Sequence, residues 1–105
     1  MKYDKLVRND IPRIIKENGQ TPKWRKATPG ERPNYAKQKL WEEVQEYANA
    51  KTRKEKLGEL ADMLEVIRLL CRVDKIFFNE VENMRKKKVD QRGTFDEWII
   101  LEDVV

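Results

Sequence analysis

Residues 36–73, AKQKLWEEVQEYANAKTRKEKLGELADMLEVIRLLCRV, are the stretch that decides the fold. Apolar residues recur every three or four positions over two parts of it, which is the periodicity of an α-helix. The first part predicts a helix from about Asn34 to Ala50. Thr52-Arg53-Lys54-Glu55 then has the pattern of a capping box and predicts a second helix running to about Val73. Because the break between the two helices is so short, we expect them to pack as an antiparallel hairpin.

The flanking sequence adds further helices and a loop. Asp10-Ile11-Pro12 predicts a helix start, with an aspartate cap and a proline in the first turn, and Asn18-Gly19 predicts its end. Residues 20–33 hold three of the four prolines and are expected to form a long loop. Another helix is predicted from about Lys75 to Lys88, and Trp98–Leu101 is a short β-prone tail.

These elements predict the all-α class: an antiparallel helical bundle of about four helices with a short β-prone C-terminal tail. The 105 residues suit one domain, residues 1–105. A small chain with strongly apolar helices often completes its core by self-association, so a homodimer or homotetramer is expected. No apolar run approaches the roughly 20 residues of a membrane span, and the single cysteine, Cys71, fits a reducing compartment. We therefore expect a cytoplasmic protein that does not enter membranes.

The chain contains no histidine. This excludes Ser-His-Asp and Cys-His catalysis, and it removes the commonest zinc ligand. Any acid–base or metal chemistry must then use Asp, Glu, Lys, Tyr or Cys. The net charge of +4 favours polyanionic ligands such as phosphates or nucleic acid, without choosing between them.

Two pairs of acids interrupt the apolar faces of the central helices. Apolar residues cover most of the circumference of the helix ending at Val73, so it should be buried on most sides, yet Glu59 and Asp62 lie on its apolar arc. On the preceding helix, Glu43 lies inside the apolar stripe and Glu46 at its edge, whereas the neighbouring glutamate at position 42 points further toward solvent. Packing the two helices together would bring the four acids to one place.

Carboxylates that converge away from water need cations to stay ionised. Hard oxygen ligands without histidine or cysteine match Mg²⁺, with Mn²⁺ as a substitute, rather than zinc. The alternative is that the acids form ordinary ion pairs or lie on a solvated surface. The candidate cations for such pairs are Lys39, Lys56, Arg68 and Arg72.

Glu43-Val44-Gln45-Glu46, followed after twelve residues by Glu59-Leu60-Ala61-Asp62, resembles the ExxE…ExxD pattern of the all-α nucleoside triphosphate pyrophosphohydrolases. That superfamily contains the MazG proteins, the dimeric dUTPases and phosphoribosyl-ATP pyrophosphohydrolase. Residues 3–12 resemble the opening of a MazG-like subgroup labelled phosphoribosyl-ATP pyrophosphohydrolase-like, where the usual run is K-L-V-R-D-K-I-P. Residues 88–95 resemble its closing K…R-G-G-F segment.

The resemblance covers nearly the whole chain, with residues 20–33 matched least. Two positions depart from the subgroup: Asn9 replaces the usual aspartate, and Thr94 replaces the second glycine. The first weakens any charged role at that position, and the second restricts the turn that follows. Neither position belongs to the metal-binding motif.

The resemblance implies a Mg²⁺-dependent enzyme built from a single MazG-like domain. Its metal ligands would be Glu43, Glu46, Glu59 and Asp62. Water would attack the α-phosphorus of a nucleoside triphosphate and release a monophosphate and pyrophosphate, with one of the glutamates or a metal-bound hydroxide as the base. The candidate substrate-binding residues are Arg8, Asn9, Lys88 and Arg92.

The expected role is house-cleaning hydrolysis of non-standard or surplus nucleoside triphosphates. A related alternative is phosphoribosyl-ATP hydrolysis in histidine biosynthesis. An alternative of another class is a non-catalytic nucleic-acid-binding module that uses the basic run Arg85–Lys88, although nucleic acid is not the favoured partner. Trp24, in a basic loop, would either stack on a base or cap the core, and we favour the core.

Overall fold

The computed structural model of the chain describes residues 4–105. Within that range the regular structure consists of four α-helices and no strand, which confirms the all-α class. The helices are α1 (Ile11–Glu17), α2 (Arg32–Asn49), α3 (Arg53–Val73) and α4 (Phe78–Arg92). The chain divides into two compact units, the first ending at Lys75 and the second comprising Ile76–Val105. That residues 1–105 act as one domain therefore stays a prediction.

The first helix has the predicted ends but lacks the predicted cap. Pro12 lies in its first turn, and Gly19, just beyond its end, has a φ of +84°. The Asp10 side chain makes no capping hydrogen bond, because its backbone already has helical angles (φ −89°, ψ −4°) instead of the extended conformation of a capping residue. Its carboxylate lies 3.7 Å from the Arg13 guanidinium instead.

The predicted helical hairpin is confirmed. Thr52 caps α3, since its Oγ1 accepts a hydrogen bond from the Glu55 N–H at 3.1 Å. The Glu55 carboxylate reaches back to the Lys51 N–H at 3.5 Å, one residue before the position that a standard capping box uses. Only Ala50–Thr52 separates α2 from α3, and the two helices pack against each other along their length. Such a short connection requires them to run antiparallel.

The second unit begins with α4, which starts three residues later than predicted. Phe77 precedes it, and the Phe77 N–H donates a 2.8 Å hydrogen bond to the Glu80 carboxylate in the first turn. The helix ends at Arg92 and is followed by Gly93, whose φ of +85° is accessible to glycine at little cost. Trp98–Leu101 forms no strand and pairs with no other described segment. The β propensity of this tail is not realised, because a strand is stabilised by pairing with another strand.

One face of α3 is open to solvent in the single chain. Leu57, Leu60 and Leu64 are 65%, 48% and 49% exposed, whereas Val66 and Cys71 are buried. The expectation that α3 is buried on most sides is therefore wrong for the isolated chain, because α2 covers only one side of it. Trp24 is also exposed, so its predicted place in the core is wrong. Over residues 4–105, no helix combines the length and apolar character needed to cross a bilayer.

Candidate metal centre

Three of the four predicted acids meet at the packed face between α2 and α3. Glu43 comes from α2, and Glu59 and Asp62 come from adjacent turns of α3. Each offers one carboxylate oxygen, and these three oxygens all lie within 4.8 Å of one another. The antiparallel hairpin produces this meeting, since the middle of α2 packs against the first half of α3. The resulting group is an acidic cluster of the kind that can hold a metal ion.

Glu43 is the most buried charged residue in the described part of the chain, with only 4% of its surface exposed. Its Oε1 lies 3.4 Å from the Lys39 ammonium, one turn earlier on α2. Its Oε2 is buried and has no hydrogen-bond partner, and the same is true of Oε2 of Glu59. A buried carboxylate oxygen without a partner loses its hydration without compensation. A cation bound between these two side chains would supply that compensation.

The cluster raises the pKa of two of its members. The pKa of Glu59 is raised to about 7, first by the adjacent Glu43 carboxyl, which favours a proton on Glu59, then by burial and by the proximity of Glu46. The pKa of Glu46 is raised as well, first by burial and then by the charge of Glu43. Both shifts have the direction expected of neighbouring acids that disfavour each other's ionised form. A divalent cation would reverse the shifts by favouring the ionised form.

Glu46 and Glu42 form a second group with Glu43, again with carboxylate oxygens within 4.8 Å of one another. Glu42 is half-buried, whereas the sequence placed it further toward solvent. Its Oε1 lies 3.2 Å from Lys5 and 3.4 Å from Lys39. Burial tends to raise the pKa of Glu42, but the two ammonium groups outweigh it, and the pKa is lowered overall. The Glu42 carboxylate is therefore already paired with two lysines. Glu43 belongs to both groups of acids and connects them.

Of the predicted substrate-binding residues, Arg8 lies directly at the cluster. Its Nη2 donates a 2.7 Å hydrogen bond to Oδ1 of Asp62. Asn9 is exposed in the turn before α1. Lys88 and Arg92 are exposed on α4, in the second unit, and their role in substrate binding stays a prediction.

The ion-pair alternative is correct for one acid of the motif. Lys39 contacts Glu43 as that alternative expected, but Arg72 lies 3.8 Å from Glu65, outside the cluster. Arg8, which the sequence did not connect with any acid, pairs with Asp62 at the cluster. These ion pairs leave the Oε2 atoms of Glu43 and Glu59 without partners, so they do not compensate the whole cluster.

The donor set fits a hard divalent cation. Carboxylate oxygens without histidine or cysteine suit Mg²⁺ or Mn²⁺. The two unpartnered buried oxygens indicate where such an ion would find ligands that are not already hydrogen-bonded. Glu46 is more exposed than Glu43, Glu59 and Asp62 and lies at the edge of the cluster.

In comparisons with known proteins, no family model, no curated protein and no solved structure matches this chain. The spacing of the acidic residues and the geometry of their side chains are therefore the features from which a function can be inferred.

Proposed function

We propose that this protein is a Mg²⁺-dependent nucleotide pyrophosphohydrolase of the MazG-like superfamily, which hydrolyses nucleoside triphosphates to nucleoside monophosphate and pyrophosphate. One observation carries the proposal. The buried Oε2 of Glu43 has no hydrogen-bond partner, and Glu43 faces Glu59 and Asp62 across the α2–α3 hairpin. These acids are the ones that the ExxE…ExxD pattern singles out. Mg²⁺ held there would neutralise phosphate charge and make a water molecule nucleophilic near neutral pH.

Each side chain of the cluster has a different proposed role. Lys39 pairs with Oε1 of the Glu43 carboxylate, which leaves the buried Oε2 available to a cation. Asp62 and Glu46 complete the acidic lining. A cation bound at the cluster would keep Glu59 ionised, and Glu59 is the proposed acceptor of a proton from the attacking water.

The proposed substrates are non-standard or surplus nucleoside triphosphates in the cytoplasm. Phosphoribosyl-ATP is the alternative substrate, and it shares the pyrophosphate bond that would be cleaved. The range of substrates distinguishes the two proposed activities, because a house-cleaning enzyme acts on several triphosphates. Turnover of phosphoribosyl-ATP alone would assign the chain to histidine biosynthesis.

The deciding experiment measures pyrophosphate release from a panel of standard and modified triphosphates and from phosphoribosyl-ATP, with Mg²⁺ and with EDTA. Wild-type protein should release pyrophosphate only with Mg²⁺. Glu59→Gln should lose activity by on the order of 100-fold or more while keeping its helical circular dichroism spectrum. Glu65→Gln is the matched control, because Glu65 is an exposed glutamate on the same helix outside the cluster, and it should retain activity.

Metal-independent release of pyrophosphate, or full activity in Glu59→Gln, would contradict the proposal. DNA or RNA binding that falls with salt but survives both EDTA and Glu59→Gln would instead identify a nucleic-acid-binding module.

The proposal includes a homodimer or homotetramer. The exposed leucines of α3 follow the three- and four-residue spacing of a helix-packing face. A second copy of the chain is the proposed cover for Leu57, Leu60 and Leu64.

A further inference from the structure

Residues 4–10, which precede α1, lie against the α2–α3 hairpin, although they have no regular secondary structure. Three side-chain contacts attach this segment. The Tyr35 hydroxyl donates to Asp4 at 3.3 Å, Lys5 lies 3.2 Å from Glu42, and Arg8 donates to Asp62 at 2.7 Å. The last contact joins this segment to a proposed metal ligand.

The contact between Arg8 and Asp62 engages a carboxylate that a bound metal ion would also need. A guanidinium donating at 2.7 Å compensates the Asp62 carboxylate in the way a bound cation would. Two cations held on one carboxylate repel each other, so the guanidinium and a metal ion each weaken the binding of the other. The Arg8 side chain is 59% exposed, so moving it into solvent costs little desolvation or packing energy.

A displaced Arg8 would remain beside the cluster, because Lys5 and Asp4 hold the same segment to α2. Arginine binds phosphate oxygens well, since its planar fork can donate two parallel hydrogen bonds. A triphosphate bound through a metal at Glu43, Glu59 and Asp62 would bring its phosphates into the region that Arg8 can reach.

We propose that Arg8 is a positioning residue that occupies Asp62 in the metal-free protein, is displaced when the metal binds, and then binds the phosphates of the metal–nucleotide complex. This inference rests on the proposed function. Arg8 thereby weakens binding of the metal alone and strengthens binding of the metal together with nucleotide. The site therefore binds the metal–nucleotide complex in preference to the free metal ion.

Replacing Arg8 should change the affinity for the metal alone and the affinity for the metal–nucleotide complex in opposite directions. In Arg8→Ala the competitor for Asp62 is absent, so the metal alone should bind about two- to fivefold tighter, the range for an exposed ion pair. The same variant loses a charged phosphate contact, so the metal–nucleotide complex should bind roughly tenfold weaker or more. Arg8→Lys keeps the charge but not the fork, so it should lie between wild type and Arg8→Ala on both measurements.

The experiment titrates the full chain with Mn²⁺ alone, followed by the loss of the free-ion electron paramagnetic resonance signal. A second titration uses a nucleoside triphosphate with a non-hydrolysable α,β-methylene bridge at saturating Mn²⁺, followed by calorimetry. Arg13→Ala is the matched control, because Arg13 is 60% exposed and pairs with Asp10 and Glu17 on α1, outside the cluster. It should match wild type in both titrations.

Opposite shifts in Arg8→Ala support the inference. An unchanged Mn²⁺ affinity, or a loss in both titrations, overturns it and gives Arg8 a merely structural role. If wild type and Arg13→Ala bind no Mn²⁺ at all, the proposed function itself fails. If they bind Mn²⁺ and Arg8→Ala does not differ, only the role of Arg8 fails.

Discussion

Glu43 and Glu59 face each other across the α2–α3 hairpin, and each carries a buried carboxylate oxygen without a hydrogen-bond partner. No other buried side-chain nitrogen or oxygen in residues 4–105 lacks a partner. The helix interface, where apolar contacts normally concentrate, thus contains two acidic groups whose hydrogen-bonding capacity is only partly satisfied. This relationship governs how the protein should respond to metal ions and to pH.

Mg²⁺ should stabilise the folded chain. An ion that binds the native state alone, at a concentration of 100 times its dissociation constant, adds about 2.7 kcal/mol to the free energy of unfolding. For a domain of this size the melting temperature should rise by roughly 10 °C. Thermal unfolding followed by circular dichroism checks this, with NaCl at matched ionic strength as the control. Asp62→Asn should remove most of the shift; an equal shift in NaCl would mean general screening rather than a site.

The metal-free protein should become less stable as the pH rises from about 4.5 to 7. The folded chain keeps the proton on Glu59 until its pKa of about 7, whereas the unfolded chain releases it near the ordinary value of 4.5. The folded state therefore binds more protons in this window, and the free energy of unfolding falls with rising pH. The raised pKa of Glu46 acts in the same direction, and there is no histidine to oppose it.

Urea unfolding in EDTA across this pH range measures the effect. In Glu59→Gln the slope of stability against pH should be much reduced. If the wild-type protein instead becomes more stable as the pH rises from about 4.5 to 7, repulsion among the carboxylates of the cluster does not control its stability.

Leu60→Lys should dissociate the oligomer. Leu60 lies at the centre of the exposed leucines of α3, and a lysine there would put a charge into the proposed interface between copies. Sedimentation equilibrium should show a wild-type dimer or tetramer and a monomeric variant with a similar helical spectrum. Leu101→Lys, a substitution of a still more exposed leucine outside the hairpin, is the control and should leave the mass unchanged. A monomeric wild type would remove the proposed interface.

Thr52→Ala should lower the free energy of unfolding by about 1 kcal/mol, because it deletes the oxygen that caps α3. Chemical denaturation measures the loss. Thr52→Ser keeps the oxygen and should stay close to wild type. If both variants were equally destabilised, the methyl group rather than the cap would be responsible.

The hairpin could be predicted closely because its signals are local. Thr52 and Glu55 define the start of α3, and the helical period places Glu59 and Asp62 on one face. The meeting of these acids with Glu43 then follows from the short connection between the helices. The sequence therefore indicated the acidic cluster, although not which oxygens would lack partners.

Contacts between distant parts of the chain were not predictable in this way. Arg8 and Asp62 are 54 residues apart, and no periodic pattern connects them. Lys5 and Glu42 are separated by 37 residues, which is why Glu42 was placed toward solvent. The open face of α3 was also missed, because an apolar pattern indicates that a face is covered without saying whether this chain or another covers it.

The position of the acidic cluster in the chain also bears on the order in which parts of the protein fold. Glu43, Glu59 and Asp62 come from two helices separated only by Ala50–Thr52, so closing this contact costs little chain entropy, whereas bringing Arg8 to Asp62 closes a much longer loop. The hairpin can form first and present its acids before the N-terminal segment docks. A metal ion present at that stage would meet the nascent hairpin without competition from Arg8, and would speed folding by holding the two helices together.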